Sequence, residues 1–280
     1  MKKLFLFLIA SGMMTIAANA QQLRTPAASP TQVLKQDFGV GNIELSYSRP
    51  SIRGRKYFEE NSELAPVGKV WRTGANSATT LTFSDDVTIG GVNVKAGKYG
   101  LLTIPGKEEW TFIITTQTDV TNPNSYKQEN DVVRVKAKPV QMTMAVENFT
   151  MDFGNITNTS CDLMLMWGTT AVSMPITTDI DSKIMGQIQS LPKDDKFPYF
   201  AAASYYLNNG KDLNQALTWF DKAVEQNPKA YWVYYEKANC LVKLSRKAEA
   251  KTTAQKSLEL AKAAKDDAYI GRNEKLLSTL

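Results

Sequence analysis

Residues 87–104 read VTIGGVNVKAGKYGLLTI, a stretch in which short apolar segments alternate with turn-forming residues. The segments 87–89 and 92–94 are separated by Gly90-Gly91, and a two-glycine spacer between such segments is typical of a tight β-hairpin. Glycine suits this turn because it adopts positive φ angles without steric cost. A further glycine turn leads into a third segment, 99–104. The stretch therefore predicts three consecutive antiparallel strands.

The same alternation continues on both sides of this stretch. Upstream, Ile43, Leu45 and Tyr47 alternate with polar residues, and downstream further apolar segments follow an Asn/Pro/Ser-rich loop near 121–130. No helical period separates these segments. Roughly ten short strands at regular spacing predict an all-β sandwich or open barrel of antiparallel strands. We assign this domain to residues 32–178.

The apolar period changes after Pro175, where a spacing of three and four residues replaces the alternation. This spacing is typical of amphipathic helices. Two sets of residues then recur at an interval of 34, the length of a tetratricopeptide repeat: Ala216, Phe220 and Ala223, then Ala250, Ala254 and Ser257. The sequence predicts a linker or short helix over 179–190 and a small all-α, tetratricopeptide-like helical domain over 191–280. A generic pair of helical hairpins is the alternative.

The first residues, MKKLFLFLIASGMMTIAANA, have the three parts of a secretory signal peptide. Lys2-Lys3 forms the basic start, residues 4–9 form an apolar run, and Ala18-Asn19-Ala20 is a small-x-small cleavage pattern. We expect residues 1–20 to be a signal peptide cleaved near Ala20, followed by a flexible leader over 21–31. The protein would then be periplasmic or secreted, and an uncleaved anchor is the alternative. No later segment has the roughly 18 consecutive apolar residues of a membrane span.

The chain contains no histidine. This absence excludes Ser-His-Asp and Cys-His catalysis, and it removes the usual histidine metal sites. The two cysteines, Cys161 and Cys240, lie in apolar segments of different predicted domains. We interpret them as buried free thiols, although an oxidising compartment would permit a disulfide. We expect no metal and no cofactor.

The charge of the chain is mildly positive, with 33 basic and 28 acidic residues and a formal net charge of +5. An excess this small does not give the basic surface that nucleic-acid binding needs, so we expect no nucleic-acid partner. The adjacent carboxylates at 85–86 and 108–109 fall at predicted turns, so we interpret them as solvated surface groups and not as a catalytic pair. We assign no catalytic residue and favour a non-enzymatic protein.

Four segments of the predicted β domain carry distinctive motifs. They read SRPSIRGRKYF (48–58), VWRTGANSATT (70–80), AGKYGLLTIPGKEEW (96–110) and LMLMWGTTAVSMPI (163–176). Together they resemble the family of a domain of unknown function, DUF 2911, from secreted proteins of Bacteroidota and their relatives. The resemblance covers residues 30–177. It implies a β domain and an extracytoplasmic location, and it implies no activity because the family has no assigned reaction.

The first two motifs supply the candidate ligand site. If the loop at 48–58 folds over the next segment, several guanidinium groups converge, and such planar groups suit carboxylate, phosphate or sulfate. A neighbouring tryptophan could offer a flat face to a sugar. The candidate residues for a small-anion or anionic-glycan site are Arg49, Arg53, Arg55, Trp71, Arg72 and Asn76.

Two alternatives remain for these residues. In the first, Arg72 pairs with an internal carboxylate (Glu44, Asp85 or Asp86), and the motif is a structural lock with Trp71 in the core. In the second, the protein is a histidine-free extracytoplasmic enzyme. It would hold an anionic substrate with the arginine-rich loop and use a Tyr or Lys for proton transfer.

The predicted helical domain is rich in aromatic residues. Most should form its core, but a few could line the concave face with which helical repeats bind extended peptides. Tyr205, Tyr231 and Tyr234 are the candidates for contact with a protein partner. The sequence as a whole predicts an exported, non-enzymatic binding or scaffold protein.

Overall fold

The computed structural model describes residues 25–280. They form two compact units, which divide between Ile180 and Asp181. The predicted signal peptide, residues 1–20, and the first part of the predicted leader lie outside the described residues. From residue 25 onward, no helix is both long enough and apolar enough to cross a membrane.

The first unit, called the β unit below, contains ten strands joined by turns and by one long loop, residues 49–79. Every strand pairing is antiparallel. Two short 3-10 turns, Pro123–Ser125 and Gln128–Asn130, follow the seventh strand. The strands are β1 (Thr31–Phe38), β2 (Gly41–Ser48), β3 (Thr80–Phe83), β4 (Val87–Ile89), β5 (Val92–Val94), β6 (Gly97–Ile104), β7 (Trp110–Thr115), β8 (Asp131–Ala137), β9 (Val140–Gly154) and β10 (Ser160–Thr177).

The ten strands form two sheets that do not close into a barrel. The six-stranded sheet has the order β1-β2-β3-β6-β7-β8, and the four-stranded sheet has the order β5-β4-β10-β9. Because alternate side chains of a strand face opposite sides, each sheet can bury one apolar face. Ile43 and Leu45 of the first sheet lie in the same core cluster as Met151 and Leu163 of the second. This architecture confirms the predicted all-β sandwich.

The hairpin predicted at Gly90-Gly91 joins β4 to β5. The φ angles of the two glycines are +56° and +79°, in the left-handed region that glycine tolerates best. Ile89 and Val92 pair directly across the turn. The chemistry of the turn therefore sets the register of the hairpin, as the sequence indicated.

A cluster of aromatic rings joins the long loop to both sheets. The ring centroid of Phe58, in the loop, lies 4.6 Å from that of Trp110 and 5.7 Å from that of Trp167. Trp71 stacks on Trp167 at 5.8 Å and contacts Phe149 edge to face at 4.9 Å. Each of the three tryptophans is at most 3% exposed. These indoles are therefore core residues, and Trp71 has no exposed face for a sugar.

The second unit, called the helical unit below, is entirely α-helical. Leu213 and Lys247, the first residues of its third and fifth helices, are 34 positions apart, the interval predicted from the repeat pattern. The helices are α1 (Ile180–Ser190), whose first residue still belongs to the β unit, α2 (Tyr199–Asn208), α3 (Leu213–Gln226), α4 (Tyr231–Lys243), α5 (Lys247–Ala264) and α6 (Asp267–Ser278).

Small residues allow these helices to approach closely. Ala216 and Ala223 of α3, and Ala250 and Ala254 of α5, are at most 3% exposed. Helix α2 packs on α3, α4 packs on α5, and α6 packs on α5. Two helical hairpins followed by a further helix confirm the predicted tetratricopeptide-like helical domain.

Candidate functional site

The long loop 49–79 forms most of a groove on the surface of the β unit. The groove consists of three adjoining cavities of about 510, 190 and 220 Å³. Some residues line one cavity alone. Those of the first cavity are Pro66, Lys69, Val70, Trp71, Pro123 and Asn124, those of the second are Ser29, Pro50, Gly74, Ala75 and Trp167, and those of the third are Gly54, Lys56 and Asn61. We call this surface the arginine groove.

Neighbouring cavities of the arginine groove share walls. Glu63 lines all three cavities, Leu64 and Arg72 line the first and second, and Arg55 lines the second and third. The three cavities therefore adjoin one another. Arg55 and Arg72, which lie far apart in the sequence, line its middle section together.

The loop is held in place by backbone hydrogen bonds at both ends. At one end, the Ile52 N–H donates to the Glu147 carbonyl at 3.1 Å, and the Phe149 N–H donates to the Pro50 carbonyl at 2.8 Å. At the other end, Trp71 exchanges backbone hydrogen bonds of 2.7 and 2.9 Å with Thr103 of β6. The groove walls are thus attached to β9 and to β6.

Arg72 is half-buried, and its Nη1 donates to the backbone carbonyl of Thr121. The acceptor is therefore a neutral main-chain oxygen, whereas the structural alternative required a carboxylate. A guanidinium that donates to one carbonyl keeps most of its five N–H donors for other acceptors. Arg72 thus lines two cavities of the groove while most of its N–H donors have no acceptor within residues 25–280.

The rest of the VWRTGANSATT motif is structural. Thr73 Oγ1 lies 3.0 Å from Thr103 Oγ1, and Thr79 Oγ1 donates to the Thr73 carbonyl at 2.7 Å. Asn76 donates through Nδ2 to the Ser29 carbonyl at 3.0 Å and does not line the groove. Arg72 is thus the polar side chain that this motif presents to the groove.

Arg55 is fixed in a similar way to Arg72. Its Nε donates to the Ile52 carbonyl at 3.1 Å, and its Nη2 donates to the Ser51 carbonyl at 2.7 Å. Arg53 behaves differently, because its exposed side chain does not line the groove. Within residues 25–280 only its backbone N–H is bonded, to Glu147 Oε1 at 2.7 Å. Of Arg53 and Arg55, only Arg55 lines the same cavity as Arg72.

Arg49 links the two sheets. Its guanidinium donates to the Phe149 carbonyl at 3.1 Å, to Gln32 Oε1 at 2.9 Å and to Thr150 Oγ1 at 2.7 Å. The neighbouring Tyr47 hydroxyl donates to the same Gln32 oxygen and accepts from the Met151 N–H at 2.8 Å. Burial raises the pKa of the Tyr47 phenol, so it remains a hydroxyl. Arg49 is therefore part of a structural lock outside the groove.

The arginine groove carries an excess of positive charge. Arg55, Lys56, Lys69 and Arg72 line it, against the single carboxylate of Glu63. Lys56 forms an exposed ion pair with Glu59 at 3.3 Å, while neither arginine of the groove is paired with a carboxylate within residues 25–280. Uncompensated guanidinium groups in a concave surface attract anions.

The described part of the chain contains no group of three or more Asp, Glu, Cys or His residues that could hold a metal ion. Cys161 and Cys240 are free and buried. Burial raises the pKa of each thiol to about 11, so both remain protonated near neutral pH.

In the helical unit, two of the three candidate tyrosines use their hydroxyl groups internally. Tyr205 donates to Asp181 Oδ1 at 2.6 Å, and Lys211 Nζ lies 2.8 Å from the other oxygen of that carboxylate. The hydrogen bonds from Lys211 and Tyr205 lower the pKa of Asp181. Tyr231 donates to Asp266 Oδ2 at 2.8 Å, whereas Tyr234 is half-buried with no hydroxyl bond among the described residues.

Some residues of the arginine groove and of the helical unit were not among the candidates chosen from the sequence. In the groove these were Glu63 and Lys69, although the length of the loop was a signal, because long irregular loops in compact domains are often functional. In the helical unit, Tyr235, Tyr269 and Arg272 were not among the candidates for contact with a protein partner. The ring centroids of the two tyrosines are 5.7 Å apart, and the guanidinium lies 4.9 Å from the Tyr269 ring.

Comparison with solved structures gives a similarity to a tetratricopeptide repeat domain protein from Salinibacter ruber, known from its crystal structure. The two are 22% identical, with a TM-score of 0.28, and the match covers 31% of this chain and 94% of that chain. No curated protein matches this chain.

Comparison with known families gives a match over residues 29–176, which are nearly all of the β unit that the structure describes. The matched segment includes the long loop and every residue that lines the arginine groove, from Ser29 to Trp167, so the groove lies within the family domain. The chain belongs to the family described as "Protein of unknown function (DUF2911)".

Proposed function

We propose that this protein is an exported, non-enzymatic binding protein whose β unit holds an anionic small molecule or anionic sugar in the arginine groove. One observation carries the proposal: Arg55 and Arg72 line the same cavity, and each is fixed by a backbone carbonyl rather than neutralised by a carboxylate. The export rests on the signal-peptide pattern of residues 1–20.

Fixing the two guanidinium groups before a ligand arrives favours binding. An arginine side chain loses conformational entropy when it is ordered, and here hydrogen bonds within the protein have already ordered it. The remaining N–H groups of each guanidinium can then donate to a carboxylate or sulfate in a bidentate arrangement. A charge-assisted hydrogen bond of this kind contributes about 1.5–3 kcal/mol.

The geometry supports binding more than catalysis. An enzyme without histidine would need a desolvated lysine or tyrosine beside the anion site to transfer a proton. The lysines that line the groove, Lys56 and Lys69, are exposed, and no tyrosine lines it. Glu63 is exposed as well, so the groove offers no desolvated carboxyl group for proton transfer either.

The helical unit supports a second part of the proposal, contact with a protein partner. Tetratricopeptide-like helices present extended faces to peptides, and Tyr235, Tyr269 and Arg272 form a half-exposed aromatic and cationic cluster on α4 and α6. Substituting Tyr235 and Arg272 by Ala should reduce crosslinking of the full chain to its partner in the native envelope. Unchanged crosslinking would contradict this role.

The experiment for the β unit is isothermal titration calorimetry of the full chain with D-galacturonate and with inorganic sulfate. We expect Arg72→Ala to weaken binding about 10- to 100-fold, the equivalent of one charged hydrogen-bonding group. Arg72→Lys keeps the charge but loses the planar fork, so it should also weaken binding. Arg53→Ala is the matched control and should bind like the native chain. Equal losses for Arg53→Ala and Arg72→Ala would contradict a defined site.

A further inference from the structure

We propose that the ligand of the arginine groove is an anionic oligosaccharide that spans all three cavities, rather than a single small anion. This inference rests on the proposed function and names the class of ligand. It follows from the adjacency of the three cavities, from the order of charges along them and from the character of their walls.

The three cavities adjoin one another through shared walls. Arg72 and Leu64 line both the 510 Å³ cavity and the 190 Å³ cavity, and Arg55 lines both the latter and the 220 Å³ cavity. A single carboxylate or sulfate fills only a small part of this space. The pockets of drug-sized ligands have volumes of about 300–1,000 Å³. The groove therefore has room for several linked sugar units.

The charges follow the length of the groove. Lys69 lines only the first cavity, Arg72 and Arg55 enclose the middle one, and Lys56 lines only the third. A ligand with one anionic group could use only part of this row. A chain of sugars with an anionic group on successive units could contact all of it, so its affinity should rise with length.

Glu63 distinguishes a sugar from other polyanions. It lines all three cavities and lies among the four cations. A carboxylate repels a bare polyanion, but it accepts hydrogen bonds from hydroxyl groups. Anionic sugars carry both anionic groups and hydroxyls, whereas polyphosphate has no donor to offer. Asn61 and Asn124 add amide groups that can both donate and accept.

The walls favour a sugar over an acidic peptide. Extended peptides commonly bind by adding a strand to an unpaired sheet edge. The walls of this groove come mainly from the loop 49–79, with Ser29, residues 123–124 and Trp167 of β10. The nearby stretch of β9 is already hydrogen-bonded to Pro50 and Ile52. The first cavity instead offers Leu64, Pro66 and Val70, apolar side chains that suit the C–H faces of sugar rings.

The test compares galacturonic acid with its tetramer by isothermal titration calorimetry on the full chain. We expect the tetramer to bind at least about tenfold more tightly than the monomer. Lys69→Ala and Lys56→Ala should weaken binding of the tetramer and leave the monomer unchanged, while Arg72→Ala should weaken both. Lys98→Ala, an exposed lysine of β6 outside the groove, is the matched control, and thermal melts verify that each variant is folded.

A second measurement tests the role of Glu63. We expect Glu63→Gln to bind the tetramer less tightly and tripolyphosphate more tightly, because it loses an acceptor for hydroxyls and a repulsive charge. Tighter binding of both ligands would mean that Glu63 only repels anions, and would overturn the assignment to a sugar. A tetraglutamate peptide that binds more tightly than the sugar tetramer would overturn it in favour of a peptide.

The proposed function and this inference fail in different ways. If monomer and tetramer bind equally and both depend on Arg72, the inference is wrong and the small-anion site stands. If neither ligand binds in a manner that depends on Arg72, both are wrong.

Discussion

The arginines of the β unit show how one side chain serves different purposes according to its acceptors. Arg49 has three acceptors on β1 and β9, which use both sides of its guanidinium. Among residues 25–280, Arg72 has one, the Thr121 carbonyl. Arg49 joins the two sheets, whereas most donors of Arg72 have no acceptor in the described part of the chain. Substitution of Arg49 should therefore mainly reduce stability, and substitution of Arg72 should mainly reduce binding.

We expect Arg49→Ala to lower the free energy of unfolding of the β unit by about 3 kcal/mol, because it removes charged hydrogen bonds and leaves acceptors unsatisfied. Arg72→Ala should cost only about 1.5 kcal/mol, the lower end for a hydrogen bond from a charged group, since a single bond is lost. Calorimetric melting measures both, at about 2–4 °C for each kcal/mol. A larger loss of stability for Arg72→Ala than for Arg49→Ala would make Arg72 the structural residue.

The sequence identified these arginines but did not distinguish their roles. The motif SRPSIRGRKYF places Arg49, Arg53 and Arg55 within seven positions of one another, and pattern alone treats them alike. Their roles depend on main-chain carbonyls such as those of Phe149 and Ile52. A carbonyl carries no side-chain signature, so its position becomes known only when the chain has folded.

At the scale of elements, the strands were predictable and the loop between them was not. Alternation and turn residues are local features, so the β4–β5 hairpin could be predicted from Gly90-Gly91. The course of loop 49–79 depends on contacts with distant strands, such as the pairing of Ser51 with Asn148 and of Trp71 with Thr103. Hence the sequence predicted the sandwich and only part of the groove.

Gly168 connects the long loop to an irregular point in β10. Its φ is +55°, and a Cβ there would lie 1.7 Å from the hydroxyl of Tyr57. We expect Gly168→Ala to destabilise the β unit by about 2–4 kcal/mol, through backbone strain and displacement of that ring. Urea unfolding measures the change. In a Tyr57→Leu background the cost should be smaller, because part of the clash is gone. A full cost in both backgrounds would mean that Tyr57 plays no part.

Helix α6 offers a prediction on pH. Asp266 caps this helix, accepting from the Tyr269 N–H at 3.1 Å and from the Tyr231 hydroxyl at 2.8 Å. These two hydrogen bonds lower the pKa of Asp266. A lowered carboxyl pKa stabilises the fold above the unfolded value of about 4, and the contribution is lost as pH falls through the folded pKa.

The helical unit should therefore lose stability on acidification below about pH 4, and Asp266→Asn should reduce that loss while largely keeping the cap. Far-ultraviolet circular dichroism during urea unfolding at several pH values measures the dependence. Asp267→Asn is the matched control, because the neighbouring Asp267 is exposed and makes no side-chain hydrogen bond among the described residues. An unchanged pH profile for Asp266→Asn would show that the cap carboxylate does not contribute.

At the scale of the whole molecule, the change in the spacing of apolar residues near residue 179 predicted where strands give way to helices. Helices and strands repeat their apolar residues at different intervals. The β unit and the helical unit each have their own apolar core. Each core also contains one cysteine: Cys161 is 1% exposed in the first, and Cys240 is fully buried in the second. The two thiols are therefore separate probes of the two units.

We expect both thiols to react slowly with Ellman's reagent at pH 8. With a pKa of about 11 for each, only about a thousandth of either is thiolate at that pH, and burial blocks access as well. Reaction then requires opening of the unit that contains the cysteine.

Because the helical unit is the smaller and has two repeats, where three are usual for independent stability, it should open first. In increasing urea, the Cys161→Ala variant, which retains Cys240, should become reactive at a lower concentration than the Cys240→Ala variant. Reaction of both variants at the same urea concentration would show that the two units unfold as one, and rapid reaction without urea would contradict the burial of the thiols.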